Sequence, residues 1–74
     1  MNLLTGDPGG AIAHLERVVD AFPDWIPSRL ELGGALFKTR RFAEAAEQYK
    51  ACLRIERHHE AARKALVEIE GAPR

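Results

Sequence analysis

The sequence contains a single cysteine, Cys52, so no disulfide can close within the chain and the redox compartment is left open. Net charge is missing as well. Eleven basic residues cancel eleven acidic ones, so no global field draws the chain to a nucleic-acid backbone or an anionic membrane. No run of about 18 apolar residues occurs, which excludes a spanning helix. The first residues do not set a basic segment before an apolar one, as a secretory signal would, and a cytoplasmic location is expected. There is no glycine-rich phosphate loop, nucleophile elbow or pair of convergent carboxylates; Gly9-Gly10 and Gly33-Gly34 lack the strand–loop–helix setting such loops need. No catalytic activity and no cofactor is therefore expected of this chain by itself.

What remains is a short, ordinary globular composition. At 74 residues, 46% apolar and 30% charged, the chain is long enough for one small domain. A domain of this size buries only about 60% of its unfolded surface, so its core is marginal. The pattern that organises it runs from Asp24 to Arg57. Ile26, Leu30, Leu32, Gly33, Leu36 and Phe37 recur mostly at helical spacing, as do Phe42, Ala45, Ala46, Tyr49, Cys52, Leu53 and Ile55. The spacing predicts helices over about Trp25–Thr39 and Phe42–Glu56. The connector Lys38-Thr39-Arg40-Arg41 is short, so the two lie antiparallel and share an apolar face.

The same unit recurs along the chain. Gly6, Pro8, Ala11, Leu15, Val18 and Val19 fall 34 residues before Arg40, Phe42, Ala45, Tyr49, Cys52 and Leu53. Arg29, Leu32 and Gly33 land on Arg63, Leu66 and Val67 by the same shift. A fixed offset of this size is the signature of a repeat, here half a unit, one whole unit and another half.

The run Leu32-Gly33-x-x-Leu36, followed by Phe42-x-x-Ala45-x-x-x-Tyr49-x-x-Cys52-Leu53, resembles the tetratricopeptide repeat family. Pro23, Ala11 and the turn Gly6-Asp7 match in the preceding unit. Arg29 stands where the family often has Trp, Arg40 replaces its turn glycine, and Arg57 replaces its closing proline. The resemblance implies an all-α fold of antiparallel helical hairpins, stacked as a short right-handed α-solenoid.

One domain over residues 1–74 is expected, with residues 8–22 as the second helix of a truncated repeat and 24–57 as the complete one. A terminal capping helix over 59–70 and a disordered tail over 71–74 would follow. Met1–Thr5 reads as the last turn of a preceding helix. Asp7 can cap the first helix, with Pro8 at its first position, and Asp24 can cap the second. The first helix is expected to bury Ala11, Ile12, Leu15, Val18, Val19 and Phe22. The last has Ala62, Ala65, Leu66 and Ile69 as its stripe, with a polar outer face suited to a cap.

Several residues invite chemistry and are better read as structure. His58-His59-Glu60 could suggest a metal, but adjacent histidines diverge on a helix and no nearby Cys or Asp completes a set, so no metal is expected. His14 reads as a surface histidine, and Cys52 as a small, inert, buried residue between the hairpin helices. The basic residues Lys50, Arg54, Arg57, Arg63 and Lys64 are interleaved with Glu47, Glu56 and Glu60. They read as a solvated face with pairs such as Glu60–Lys64, and nucleic acid is not the expected partner.

The resemblance implies an interaction module that binds a protein or peptide, with the first helix of each hairpin lining a concave groove. The groove residues so implied are Leu30, Gly34, Phe37 and Lys38, continued by Lys64 and Glu68; the alternative for Leu30 and Phe37 is that they pack against neighbouring helices. Relatives that hold a chaperone's terminal carboxylate use Lys, Asn and Arg at positions that here carry Leu30, Gly34, Ala61 and Ala65, so that clamp is absent. Two other roles are open. The first helix lacks the partner its own repeat would supply, and Ile12, Leu15 and Val19 are its candidate face for a homodimer, with exchanged helices as one route. The chain could also be the recruiting appendage of a larger protein. The usage of Ala, Arg and Gly points to a bacterial source.

Overall fold

The computed structural model describes residues 8–71, and every regular element among them is a helix. In order these are α1 (Pro8–Ala21), α2 (Ile26–Lys38), α3 (Phe42–Ile55) and α4 (Glu60–Gly71). Each packs on its neighbours in sequence, with the largest interface between α2 and α3. The result is a slab 38 × 31 × 17 Å in extent, a single layer of helices. In so thin a layer every helix keeps a face in solvent. Met1–Thr5, the Asp7 cap and residues 72–74 lie outside the described residues. Gly71, expected in the tail, is instead the last residue of α4.

The core takes Ile12 and Val19 from α1, Leu32 and Leu36 from α2, Ala45, Tyr49 and Cys52 from α3, and Ala62 and Ile69 from α4. Two expectations for α1 fail. Ala11 is exposed, and Phe22 lies beyond the helix with 64% of its surface in solvent. Only α2 makes a substantial contact with α1, so a helical stripe as wide as the sequence shows cannot all be covered. The residues named as a candidate homodimer face are Ile12, Leu15 and Val19. Ile12 and Val19 are buried in the chain's own core, and Leu15 is half-buried against it.

Glycine decides the α2–α3 approach. A Cβ built on Gly33 would lie 2.7 to 3.0 Å from three carbons of the Tyr49 ring, closer than any side chain tolerates. The ring therefore rests on bare backbone, and the helices meet more closely than two side-chain-bearing positions would allow.

The turn after α2 is a Schellman closure with an unusual occupant. The Arg41 amide donates to the Leu36 carbonyl at 2.9 Å, and the Arg40 amide to that of Phe37 at 3.0 Å. The Thr39 hydroxyl sits on the Ala35 and Leu36 carbonyls. Arg40 has φ +66°, the left-handed conformation that glycine normally supplies. Arg41 then caps α3 through its carbonyl, which accepts from the Ala45 amide, while its guanidinium grips both oxygens of Glu44 at 2.6 and 2.7 Å. That is the only ion pair recorded among the described residues, so the Glu60–Lys64 pair does not form. Pro27 sits in the first turn of α2, where its missing amide donor costs little, but Asp24 does not cap that helix. Trp25 occupies the cap position without a side-chain hydrogen bond.

Two outcomes follow. Arg40→Gly relieves the left-handed residue, and is expected to stabilise the fold by about 1 kcal/mol, a rise of roughly 4–8 °C in Tm. Burial, foremost, raises the pKa of both the Tyr49 hydroxyl and the Cys52 thiol. The folded chain thus holds these protons more tightly than the unfolded chain does. Their contribution is complete below about pH 8.5 and is lost as pH rises through the thiol and phenol ranges. Urea melts at about pH 7.5 and pH 10.5 should show a lower midpoint at the alkaline end, with a smaller fall in Tyr49→Phe.

Candidate protein-binding face

The α2–α3 hairpin is tied by side chains that the apolar pattern does not reveal. Arg29, where a tryptophan was the family expectation, donates through Nε to the Pro23 carbonyl at 2.7 Å and through Nη1 to Gln48 Oε1 at 3.0 Å. One guanidinium thereby joins the α1–α2 turn to α2 and α3. Glu44 is held below the usual carboxylate range by its bonds to Arg41. At the start of α4, His59 Nδ1 accepts the Ala62 amide at 3.3 Å, so this histidine serves as a helix cap.

The six residues expected to line one groove are divided. Gly34 and Lys38 share an open groove between α1 and α2 with Ala11, Leu15, Glu31 and Thr39. Lys64 and Glu68 lie on α4, along a second shallow groove with Glu60, Arg63 and Val67. Leu30 and Phe37 are half-buried against the core. Phe37 meets Phe42 edge to face, with ring centroids 5.2 Å apart, which braces the hairpin turn. Truncating it would loosen the fold before it touched a ligand.

The Tyr49 side chain packs against α2 at Gly33 and Gly34. A Cβ built on Gly34 would sit 3.8 Å from the Tyr49 hydroxyl oxygen, ordinary contact distance, so Gly34 has room where Gly33 has none. Burial raises the Tyr49 pKa, and the charges of Cys52 and Glu68 add to the rise. Gly34 on α2 and the phenol of α3 thus lie side by side. Sequence spacing alone does not reveal this contact, because Tyr49 reads simply as a core residue.

Other candidate chemistry stays dispersed. Among the described residues no group of three His, Cys, Asp or Glu is placed to hold a metal ion. Lys50, Arg54, Arg57, Arg63 and Lys64 are all exposed, as are Glu47, Glu56 and Glu60 among them. No described helix is long and apolar enough to cross a membrane.

The family model described as "Tetratricopeptide repeat" matches residues 3–69, nearly the whole chain. No curated protein and no solved structure gives a significant match. Modules of this family generally mediate protein–protein interaction and are typically non-catalytic. With four stacked helices, a 34-residue internal offset and a small residue beneath an aromatic ring at the hairpin contact, the chain belongs to the tetratricopeptide repeat family.

Proposed function

We propose that the chain is a non-catalytic interaction module that holds an extended or helical peptide in the groove lined by Gly34 and Lys38 of α2 with Ala11 and Leu15 of α1. The observation that carries this reading is that Gly34 lines a groove and has room for a side chain that it does not carry. A glycine inside a helix costs about 1 kcal/mol against alanine. Gly33 has a packing reason for that cost and Gly34 does not, since a Cβ would fit there. The groove beside it is apolar along Ala11, Leu15 and Ala35 and is edged by Glu31 and Lys38, a floor for an apolar side chain with charges to orient the ligand. Lys64 and Glu68 would continue the charged edge along α4.

A displayed random-peptide library, selected against the full chain, supplies ligands whose affinity calorimetry can measure. Gly34→Leu fills the groove and is expected to weaken them at least about tenfold, a loss of about 1.4 kcal/mol, without lowering Tm. Lys38→Glu should weaken those with acidic residues and spare the rest. Selected ligands that bind Gly34→Leu as tightly as the unaltered chain would show that this side is not the binding face.

A further inference from the structure

Two arginines lie at the end of the α2–α3 hairpin away from its turn, where the peptide-binding reading gives them no part. There the α1–α2 turn, the start of α2 and the last turns of α3 bound a cleft of about 390 Å³, lined by Pro23, Asp24, Arg29, Ala51, Arg54 and Ile55. None of its walls is an outer face of α1 or α4. The half-buried Arg29 guanidinium is fixed in place by its bonds to the Pro23 carbonyl and to Gln48 Oε1, and both of these acceptors are uncharged. Arg54 is exposed on the opposite wall. Neither arginine pairs with a carboxylate among the described residues, where Arg41–Glu44 is the only ion pair recorded. Asp24 lines the same cleft and reaches neither. A cation that has lost part of its hydration ordinarily gains an anionic partner in exchange. Here two guanidiniums line one cleft without one.

We infer that this cleft takes the carboxylate of an aspartate or glutamate side chain on a partner protein. Arg29 is positioned before the ligand arrives, so little order is lost on binding, and Arg54 meets the same carboxylate from α3. The surroundings favour a protein over a free phosphate or a nucleic acid. Ala51 and Ile55 give the cleft an apolar wall. Phe22 and Trp25, which flank Pro23 and Asp24 in the turn, have 64% and 59% of their surfaces in solvent. Arginine beside exposed aromatic residues is the composition of protein interfaces. The Asp24 carboxylate repels a doubly charged phosphate more than a single carboxylate. A nucleic-acid backbone calls for a row of cations, and the cleft offers Arg29 and Arg54 alone. The inference is independent of the peptide-binding reading, since the cleft shares no residue with the groove beside Gly34.

The test is an NMR titration of the full chain with a capped peptide that carries glutamates on either side of a leucine. The same peptide with glutamines in their place, and inorganic phosphate, are titrated in parallel. The glutamate peptide should shift the backbone amides of Asp24, Arg29, Ala51 and Arg54 saturably, and the glutamine peptide should bind more weakly. Arg54→Gln should weaken the glutamate peptide by about threefold or more, as loss of a partly exposed ion pair does. Asp24→Asn removes the cleft's own negative charge and should tighten binding. Both side chains are exposed, so neither change disturbs the fold. Gly34→Leu should leave the shifts at the cleft unchanged. The absence of saturable shifts at the cleft would overturn the proposal, as would equal binding of the glutamine peptide or indifference to both the Arg54 and Asp24 variants. Phosphate that saturates the cleft as tightly as the glutamate peptide would overturn it too, and would make this a site for a free anion.

Discussion

A tyrosine ring lying on a glycine backbone sets how closely α2 and α3 approach, and the rest of the fold is arranged around that approach. Tyr49 is the largest side chain in the core, and it stands at the centre of the largest interface. Its ring covers Gly33, and its hydroxyl lies beside Gly34. One residue thus ties α2 to α3. In a single layer only 17 Å thick, few side chains can be buried on all sides, so one contact of this kind matters more than it would in a thicker domain.

The same thinness explains why the chain suits binding. A helix in a layer can be covered along two edges at most, and its outer faces stay in water. Large apolar residues remain exposed as a consequence: Phe22 and Trp25 at the α1–α2 turn, Ile55 at the end of α3 and Val67 on α4. The covered edges hold the slab together, and the uncovered faces are available to partners.

Much of this was legible in the sequence. Apolar spacing and turn residues placed the four helices within one or two residues of their observed ends, and the short connector Lys38-Thr39-Arg40-Arg41 showed that α2 and α3 form a hairpin. The misses share a physical origin. Phe22 and Ala11 were assigned to the core because periodicity reports which residues lie on an apolar stripe, not how much of it a neighbour covers. Arg40 in the left-handed region, the Arg29 tie to Gln48 and the cap made by His59 depend on local geometry that residue type does not announce. Arg40 is the clearest case, since the hydrogen bonds of its turn close as they would around glycine. The expected groove was the least legible part. Leu30 and Phe37 face inward enough to be held by the core, and only Gly34, Lys38, Lys64 and Glu68 line open surface.

The most direct test of the central contact is the stability of Gly33→Ala, alone and with Tyr49→Leu, by urea denaturation. Helix propensity alone would make the single variant more stable by about 1 kcal/mol. The ring contact makes it less stable, by about 1–3 kcal/mol for an overpacked core. In the Tyr49→Leu background, where no ring lies over residue 33, the same change should be neutral or stabilising, so the two substitutions are not additive. A Gly33→Ala chain as stable as the original or more so, or one that loses equally in both backgrounds, would contradict the claim that this contact sets the hairpin.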